Sequence, residues 1–294
     1  MQADQTMIVV QLKGGLGNQM FQYACGRAIA YRNNVPLKLD VSAFRWDTLR
    51  TYRLSHFNIV EHFAIQEDMR RFFPRHRQVI AWTCGKVRNR WLPYHRRPIV
   101  PERQFHFDPE ILKVKDDAYL SGYWQCEKYF ADVAELIRSE FTFKTEPDEG
   151  YKRLLEEMME TNSVSVHIRR GDYVVKPDHG VLGPDYYAGA LNFVAQRVAQ
   201  PRIFVFSDDI AWAKGNLTFP FPAVFIEHNG AERDHEDLRL MRHCKHHVVA
   251  NSTFSWWGAW LAEWPGQVVV APKTWFQDPG RSADDVVPER WTKL

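Results

Sequence analysis

What this chain lacks narrows its class before any motif is read. Cysteine is sparse: Cys25, Cys84, Cys126 and Cys244 lie far apart and form no C-x-x-C pair, so neither a zinc ribbon nor a dithiol redox site is expected. Free, widely spaced thiols fit a reducing compartment. No apolar run is long enough to span a bilayer, and the first ten residues carry no basic stretch followed by an apolar one. The chain therefore reads as cytoplasmic. A surplus of one charge is missing too: 38 Lys and Arg face 36 Asp and Glu, a formal net charge of +2. That balance argues against a dedicated nucleic-acid binder, whose affinity must come from many phosphate contacts. No Asp-x-Asp pair occurs, so one common way of holding a divalent ion beneath a diphosphate is absent. There is no internal repeat and no low-complexity tract.

What is present points to an ordinary folded protein with a ligand cleft. A length of 294 residues suffices for two α/β domains. Aromatic residues are plentiful, with 11 Trp, 11 Tyr and 19 Phe, and such rings fill cores or stack on the apolar faces of sugars and bases. Positive charge is concentrated between Arg70 and Arg103, where ten Lys or Arg stand against one acid, Glu102. This stretch is either a solvated basic surface or a docking face for anionic lipid, which would place the protein peripherally at the inner face of the membrane.

The pattern along the chain is that of alternating strands and helices. An apolar strand at residues 7–12 runs into Lys13-Gly14-Gly15-Leu16-Gly17-Asn18-Gln19, followed by a helical rhythm over 20–32 and a second strand at 36–40. This is the opening of a Rossmann-like unit, although Met20 occupies the place of the third glycine of the dinucleotide fingerprint. Glycines here let backbone N–H groups approach a ligand, and Asn18 and Gln19 add donors at the helix start. Residues 41–103 read as an irregular, partly helical insertion. A strand at 118–124, a helix at 127–139 and a linker at 145–150 close the first domain, residues 1–145. Strands at 164–168, 203–206, 223–227, 247–250 and 268–271 then alternate with helices over 151–294, the mark of a parallel sheet.

Three motifs follow strands of the second domain, so all three should meet at the carboxyl edge of its sheet, where open α/β sheets bind ligands. The first is His167-Ile168-Arg169-Arg170-Gly171-Asp172-Tyr173. Alternation along a strand puts His167 and Arg169 on one side, so both can address a single anion. A guanidinium grips two phosphate oxygens and never loses its charge, whereas an Arg–Asp ion pair, above all at Arg170, is the structural alternative. The second is Ser207-Asp208-Asp209, in which one carboxylate can accept from a ribose or a guanine edge while the other caps the next helix. The third, Asn251-Ser252-Thr253-Phe254-Ser255-Trp256-Trp257-Gly258, is a strand-to-helix turn whose hydroxyls and free N–H groups suit a diphosphate. Its tryptophans, with Trp260, are read mainly as packing residues. Asp172 is the candidate general base, with an ion pair to Arg169 or Arg170 as the alternative. The patch His243, Cys244, His246 and His247 is read as structural rather than metal-binding.

These blocks, together with GGLGNQMFQYA near the start, resemble the signature blocks of the bacterial α-1,2-fucosyltransferases, in order and from Gly14 to Leu261. The resemblance implies a GT-B-like α/β architecture, two Rossmann-like domains facing a central cleft. The C-terminal domain would hold GDP-fucose, the N-terminal one would take the acceptor, and fucose would be transferred with inversion to the 2-hydroxyl of a terminal β-galactoside. By the same resemblance Arg169 holds the β-phosphate, His167 and Asp209 contact the nucleotide, and Asn251, Ser252, Thr253 and Ser255 lie along the diphosphate. Gly15, Gly17 and Asn18 approach from the other domain. No cofactor and no metal is expected, since Arg169 and a helix dipole would stabilise the leaving group. A non-catalytic nucleotide-sugar or phosphosugar binding protein would need the same cradle, and an RNA-binding module is the third reading.

Overall fold

The computed structural model describes residues 6–73, 92–115, 117–174, 180–227, 230–278 and 284–294. The chain divides into two compact units, Met1–Thr142 and Phe143–Leu294. In the first unit, strand β1 (Ile8–Gln11) leads to helix α1 (Leu16–Asn33) and strand β2 (Leu37–Asp40). Helix α2 (Gln66–Phe72), strand β3 (Ile99–Pro101), strand β4 (Ala118–Ser121) and helix α3 (Ala134–Glu140) follow. The four strands form a sheet in the order β2-β1-β4-β3, with every pairing parallel.

Three sequence expectations change here. Helix α1 begins at Leu16, with Gly15 as its extended N-cap, so Gly17, Asn18 and Gln19 belong to its first turn rather than to a loop before it. Burial of Leu16 and Gly17 beside the sheet outweighs the low helix propensity of glycine. The stretch 127–139 is two 3-10 turns followed by the short α3, not one helix. Within it the Tyr129 carbonyl accepts from Arg32 Nη2 at 2.8 Å. The region 41–103 contains α2 and the edge strand β3 among 3-10 turns, elements too short to show a period.

In the second unit, helix α4 (Glu149–Glu160) begins inside the stretch read as a linker. Strand β5 (Asn162–Ile168), helix α5 (Pro184–Ala195), strand β6 (Pro201–Ser207), helix α6 (Ile210–Asn216) and strand β7 (Ala223–Phe225) come next. Helix α7 (Asp234–His243), strand β8 (His246–Val248), helix α8 (Thr253–Leu261), strand β9 (Val269–Ala271) and strand β10 (Thr292–Lys293) complete it. The order β10-β9-β8-β5-β6-β7 is parallel throughout. Starting at central β5, the chain first winds outward to β7 and then, from β8, outward on the other side. This is the doubly wound nucleotide-binding order, and its switch point lies between β5 and β8.

Alternating residues of the central strands fill two cores. Val164, Val166, Ile168, Ile203 and Val205 pack on α5, while Phe204 and Phe206 meet Leu240 and Met241 of α7 and Leu155 of α4. Gly258 is required by packing, because a Cβ there would sit 2.8 Å from Met241 Cβ. Trp256, Trp257 and Trp260 are buried against one another and Trp291, and Trp256 Nε1 donates to the Val286 carbonyl at 2.7 Å.

Of the basic stretch 70–103, Arg75, Arg77, Lys86, Arg88 and Arg90 lie outside the described residues, as does Cys84. Arg70, Arg71 and Arg103 are paired with Glu67, Asp117 and Asp108. Among the described residues no helix is long and apolar enough to cross a membrane.

Candidate active site

Register places the first two motifs side by side, since Ile168 of β5 pairs with Ser207 of β6 and each motif continues from its strand. The Arg169 guanidinium is gripped from two sides, with Nη2 2.5 Å from Asp172 Oδ1 and Nη1 2.9 Å from Asp208 Oδ2. Asp208 also accepts from the Arg170 backbone N–H at 2.8 Å, so one carboxylate fixes both the loop and the charged head it carries. A Cβ on Gly171 would stand 2.5 Å from Asp208 Oδ2, and glycine is what allows that approach. Arg170 points elsewhere: it stacks on Trp212 at 4.0 Å and reaches Asp209 Oδ2 at 3.3 Å. Asp209 itself caps α6 by accepting from the Trp212 N–H at 3.0 Å. The cap therefore comes from the carboxylate that resemblance assigns to the nucleotide, and Asp208, the other carboxylate of the second motif, is the hub that holds Arg169.

The third motif joins across the switch point. Tyr173 lies under the Arg169 guanidinium at 5.2 Å and donates its hydroxyl to the Asn251 carbonyl at 3.4 Å. The His167 ring is 5.7 Å from that of Phe254 in the first turn of α8. Arg169 thus shares its surroundings with the 251–255 turn. Within that turn, Ser252 is the N-cap of α8, Ser255 Oγ donates to the Ser252 carbonyl at 3.3 Å, and Thr253 is half-buried in the first turn. Asn251 is buried and donates to the carbonyls of Gly180 and Trp275, both at 3.2 Å. Asn251 and Ser255 accordingly shape the turn, Ser252 caps the helix that starts there, and the link to Arg169 runs through Tyr173 and the Asn251 carbonyl.

His167 is 5% exposed, and its Nδ1 has no hydrogen-bond partner among the described residues. Burial, reinforced by the Arg169 charge, pushes its pKa down to about 3. A neutral ring with an orphaned buried nitrogen beside a paired arginine is arranged to meet a ligand group, not to titrate near neutrality. The histidines of the His/Cys patch are engaged separately: His243 Nδ1 is 2.7 Å from the Arg239 carbonyl, His247 Nδ1 is 2.7 Å from Ser165 Oγ, and His246 Nδ1 accepts from the Val268 N–H at 3.0 Å. Burial likewise holds His247 at about 3.

Both depressed values make a stability prediction. Between about pH 6.5 and pH 3 the unfolded chain binds protons that buried His167 and His247 refuse, so stability rises with pH across that window and is complete above it. At pH 5 each ring should cost roughly 2 kcal/mol relative to pH 7. Urea unfolding at the two pH values checks this, and His247→Gln should flatten the slope; equal stability at pH 7 and 5 would contradict burial of neutral rings.

In the first unit, Gly14 (φ +79°) and Gly15 make the turn from β1 into α1. Asn18 Oδ1 accepts from Gln125 Nε2 at 3.0 Å, linking the carboxyl ends of β1 and β4. Gln19 is not a ligand donor: it is fully buried, its amide donates to the carbonyls of Gly14 and Thr51, and it accepts from the Arg53 N–H. Lys13 lies 4.8 Å from the Tyr123 ring at the same edge.

Two parallel-sheet α/β units, the second doubly wound about a switch point, give the chain a GT-B-like architecture. The chain belongs to glycosyl transferase family 11, whose model matches residues 1–294. It is similar to the alpha-1,2-colitosyltransferase of Escherichia coli, 35% identical over 98% of this chain and 99% of that one. It is also similar to the galactoside 2-alpha-L-fucosyltransferase Sec1 of Mus musculus, 28% identical over 87% of this chain and 64% of that one. Among solved structures, a variant of Arabidopsis thaliana FUT1 in complex with GDP superposes with a TM-score of 0.53 at 11% identity, covering 98% of this chain and 76% of that chain. At such identity the likeness shows the fold.

Proposed function

We propose that the protein transfers L-fucose from GDP-β-L-fucose, with inversion, to the 2-hydroxyl of a terminal β-galactoside, its second unit holding the donor and its first the acceptor. The observation that carries the reading is the grouping of Arg169, the orphaned His167 Nδ1 and the start of α8 at one switch point. As the bond from the anomeric carbon to the diphosphate breaks, negative charge grows on the β-phosphate. Arg169, with N–H groups of the α8 first turn and the Ser252–Thr253 segment, meets that charge from fixed positions. Neutral His167 contacts the nucleotide. Gly15, Gly17 and Asn18 border the acceptor side.

Asp172 is the base of this scheme. Its carboxylate pairs with Arg169 at 2.5 Å; a phosphate that takes over the guanidinium leaves that carboxylate to accept the proton of the attacking hydroxyl. No divalent ion is required, because arginine supplies the charge that a metal would.

A second donor is favoured by one finding, the 35% identity to a colitosyltransferase, since colitose is the 3-deoxy counterpart of fucose. A panel of GDP-fucose, GDP-colitose, GDP-mannose and UDP-galactose with β-galactoside acceptors, scored by mass spectrometry, tests donor and acceptor together. Transfer from GDP-fucose, undiminished by EDTA, is the expected result. Transfer from GDP-colitose alone would move the donor assignment, and an EDTA-sensitive reaction would overturn metal independence.

A further inference from the structure

A second binding surface lies on the donor unit, away from Arg169. A groove of about 650 Å³ runs between one face of α5 and the segment that follows β9. Asp185, Tyr186, Asn192, Phe193 and Gln196 recur at helical spacing along one wall, and Lys273 and Thr274 stand on the other. The volume is within the range of sites that hold small organic ligands.

One lining residue is informative. Gly189 sits in the middle of α5, and a Cβ there would meet nothing within 4 Å. Glycine inside a helix is unfavourable because of its backbone freedom, and neither packing nor a positive φ demands it here, in contrast to Gly258. Exposed on the α5 wall, it leaves the groove open between the side chains on either side. The walls match one chemistry. Phe193 is held in place by Arg197, whose guanidinium carbon is 3.5 Å from the ring centroid. Tyr186 is fixed by donating to the Val249 carbonyl at 2.6 Å. The two half-buried rings, with the exposed amides of Asn192 and Gln196 and the carboxylate of Asp185, set apolar surface beside hydrogen-bond donors and acceptors, a combination that suits the mixed surface of a saccharide.

We propose that this groove is a secondary saccharide site that holds the distal sugars of a long acceptor while its terminal residue reaches the transfer site. Continuity with the active site supports that occupant: Thr274 precedes Trp275 and Leu182 lies just beyond Gly180, and the carbonyls of Trp275 and Gly180 both accept from Asn251. The inference rests on the glycosyl-transfer reading, and two independent readouts separate them. Gly189→Trp fills the groove where space is open, and Asn192→Ala removes one exposed amide without touching the core. With methyl β-galactoside as acceptor, both variants should match the parent. With a galactose-terminated pentasaccharide, KM should rise about five- to tenfold for Gly189→Trp, and by less for Asn192→Ala, at unchanged kcat. Saturation-transfer NMR of the pentasaccharide without donor should lose its distal-sugar signals in Gly189→Trp. Unchanged KM and an unchanged NMR pattern overturn the groove. If the parent transfers to neither acceptor, the donor reading fails, and the NMR comparison alone decides the site.

Discussion

Arg169→Ala should lower kcat/KM for transfer about a thousandfold or more while leaving the melting temperature close to that of the parent, the scale expected when a preorganised charge at a developing oxyanion is lost. The fold should survive because the Arg169 side chain is 23% exposed and its partners, Asp172 and Asp208, can turn to water. Arg169→Lys separates charge from geometry. An ammonium keeps the positive charge but cannot reach two oxygens from a rigid fork, so it should recover only a small part of the activity and bind GDP more weakly by calorimetry. Near-parental turnover in the alanine variant would remove Arg169 from the chemistry.

Asp208→Ala should come next, with kcat/KM falling about a hundredfold and a stability loss of no more than about 1 kcal/mol, because the Arg170 N–H it leaves is exposed and water can accept from it. Two contacts vanish together, the 2.9 Å pair to Arg169 and the 2.8 Å bond from the Arg170 N–H. Asp208→Asn can still accept from that N–H but has no charge for the guanidinium, so it should retain stability and lose part of the rate. Gly171→Ala reaches the same outcome from the opposite side, because its new methyl group would collide with Asp208 Oδ2. Because Asp208 acts through Arg169, the loss should appear in kcat as well as in KM for the donor. Steady-state kinetics on the three variants, with thermal unfolding alongside, make the comparison; a normal Asp208→Ala enzyme would leave Asp172 as the sole holder of Arg169.

Sequence reading recovered what depends on long or fully buried elements. Strand β6 was legible because Ile203–Phe206 is an apolar run buried on both faces, and β5 because Val164, Val166 and Ile168 alternate with the buried polar Ser165 and His167. Strands β3 and β10, three and two residues long, carry no pattern a periodicity argument could register. The start of α1 was misplaced because two glycines signal a turn locally, and only the sheet behind them makes a helix there favourable. At the site, Arg169 was legible from residue type and its place after a strand. Asp208 was not, because its role follows from the pairing of Ile168 with Ser207, a contact between segments 39 positions apart. The fate of Gln19 shows the same limit: an amide beside a glycine turn looks ready for a ligand, and only tertiary structure shows both ends engaged by Gly14, Thr51 and Arg53.

The resting grip of two carboxylates on Arg169 carries a consequence for selectivity. Any anion entering the site must displace groups tethered to the same loop cluster, present at an effective concentration that a free solute rarely matches. Inorganic phosphate, with nothing else to anchor it, is a poor competitor under those terms. Under the donor assignment proposed above, a nucleotide held by its base and ribose brings its own phosphates at comparable local concentration and can win, so the two ion pairs would favour it over small free anions.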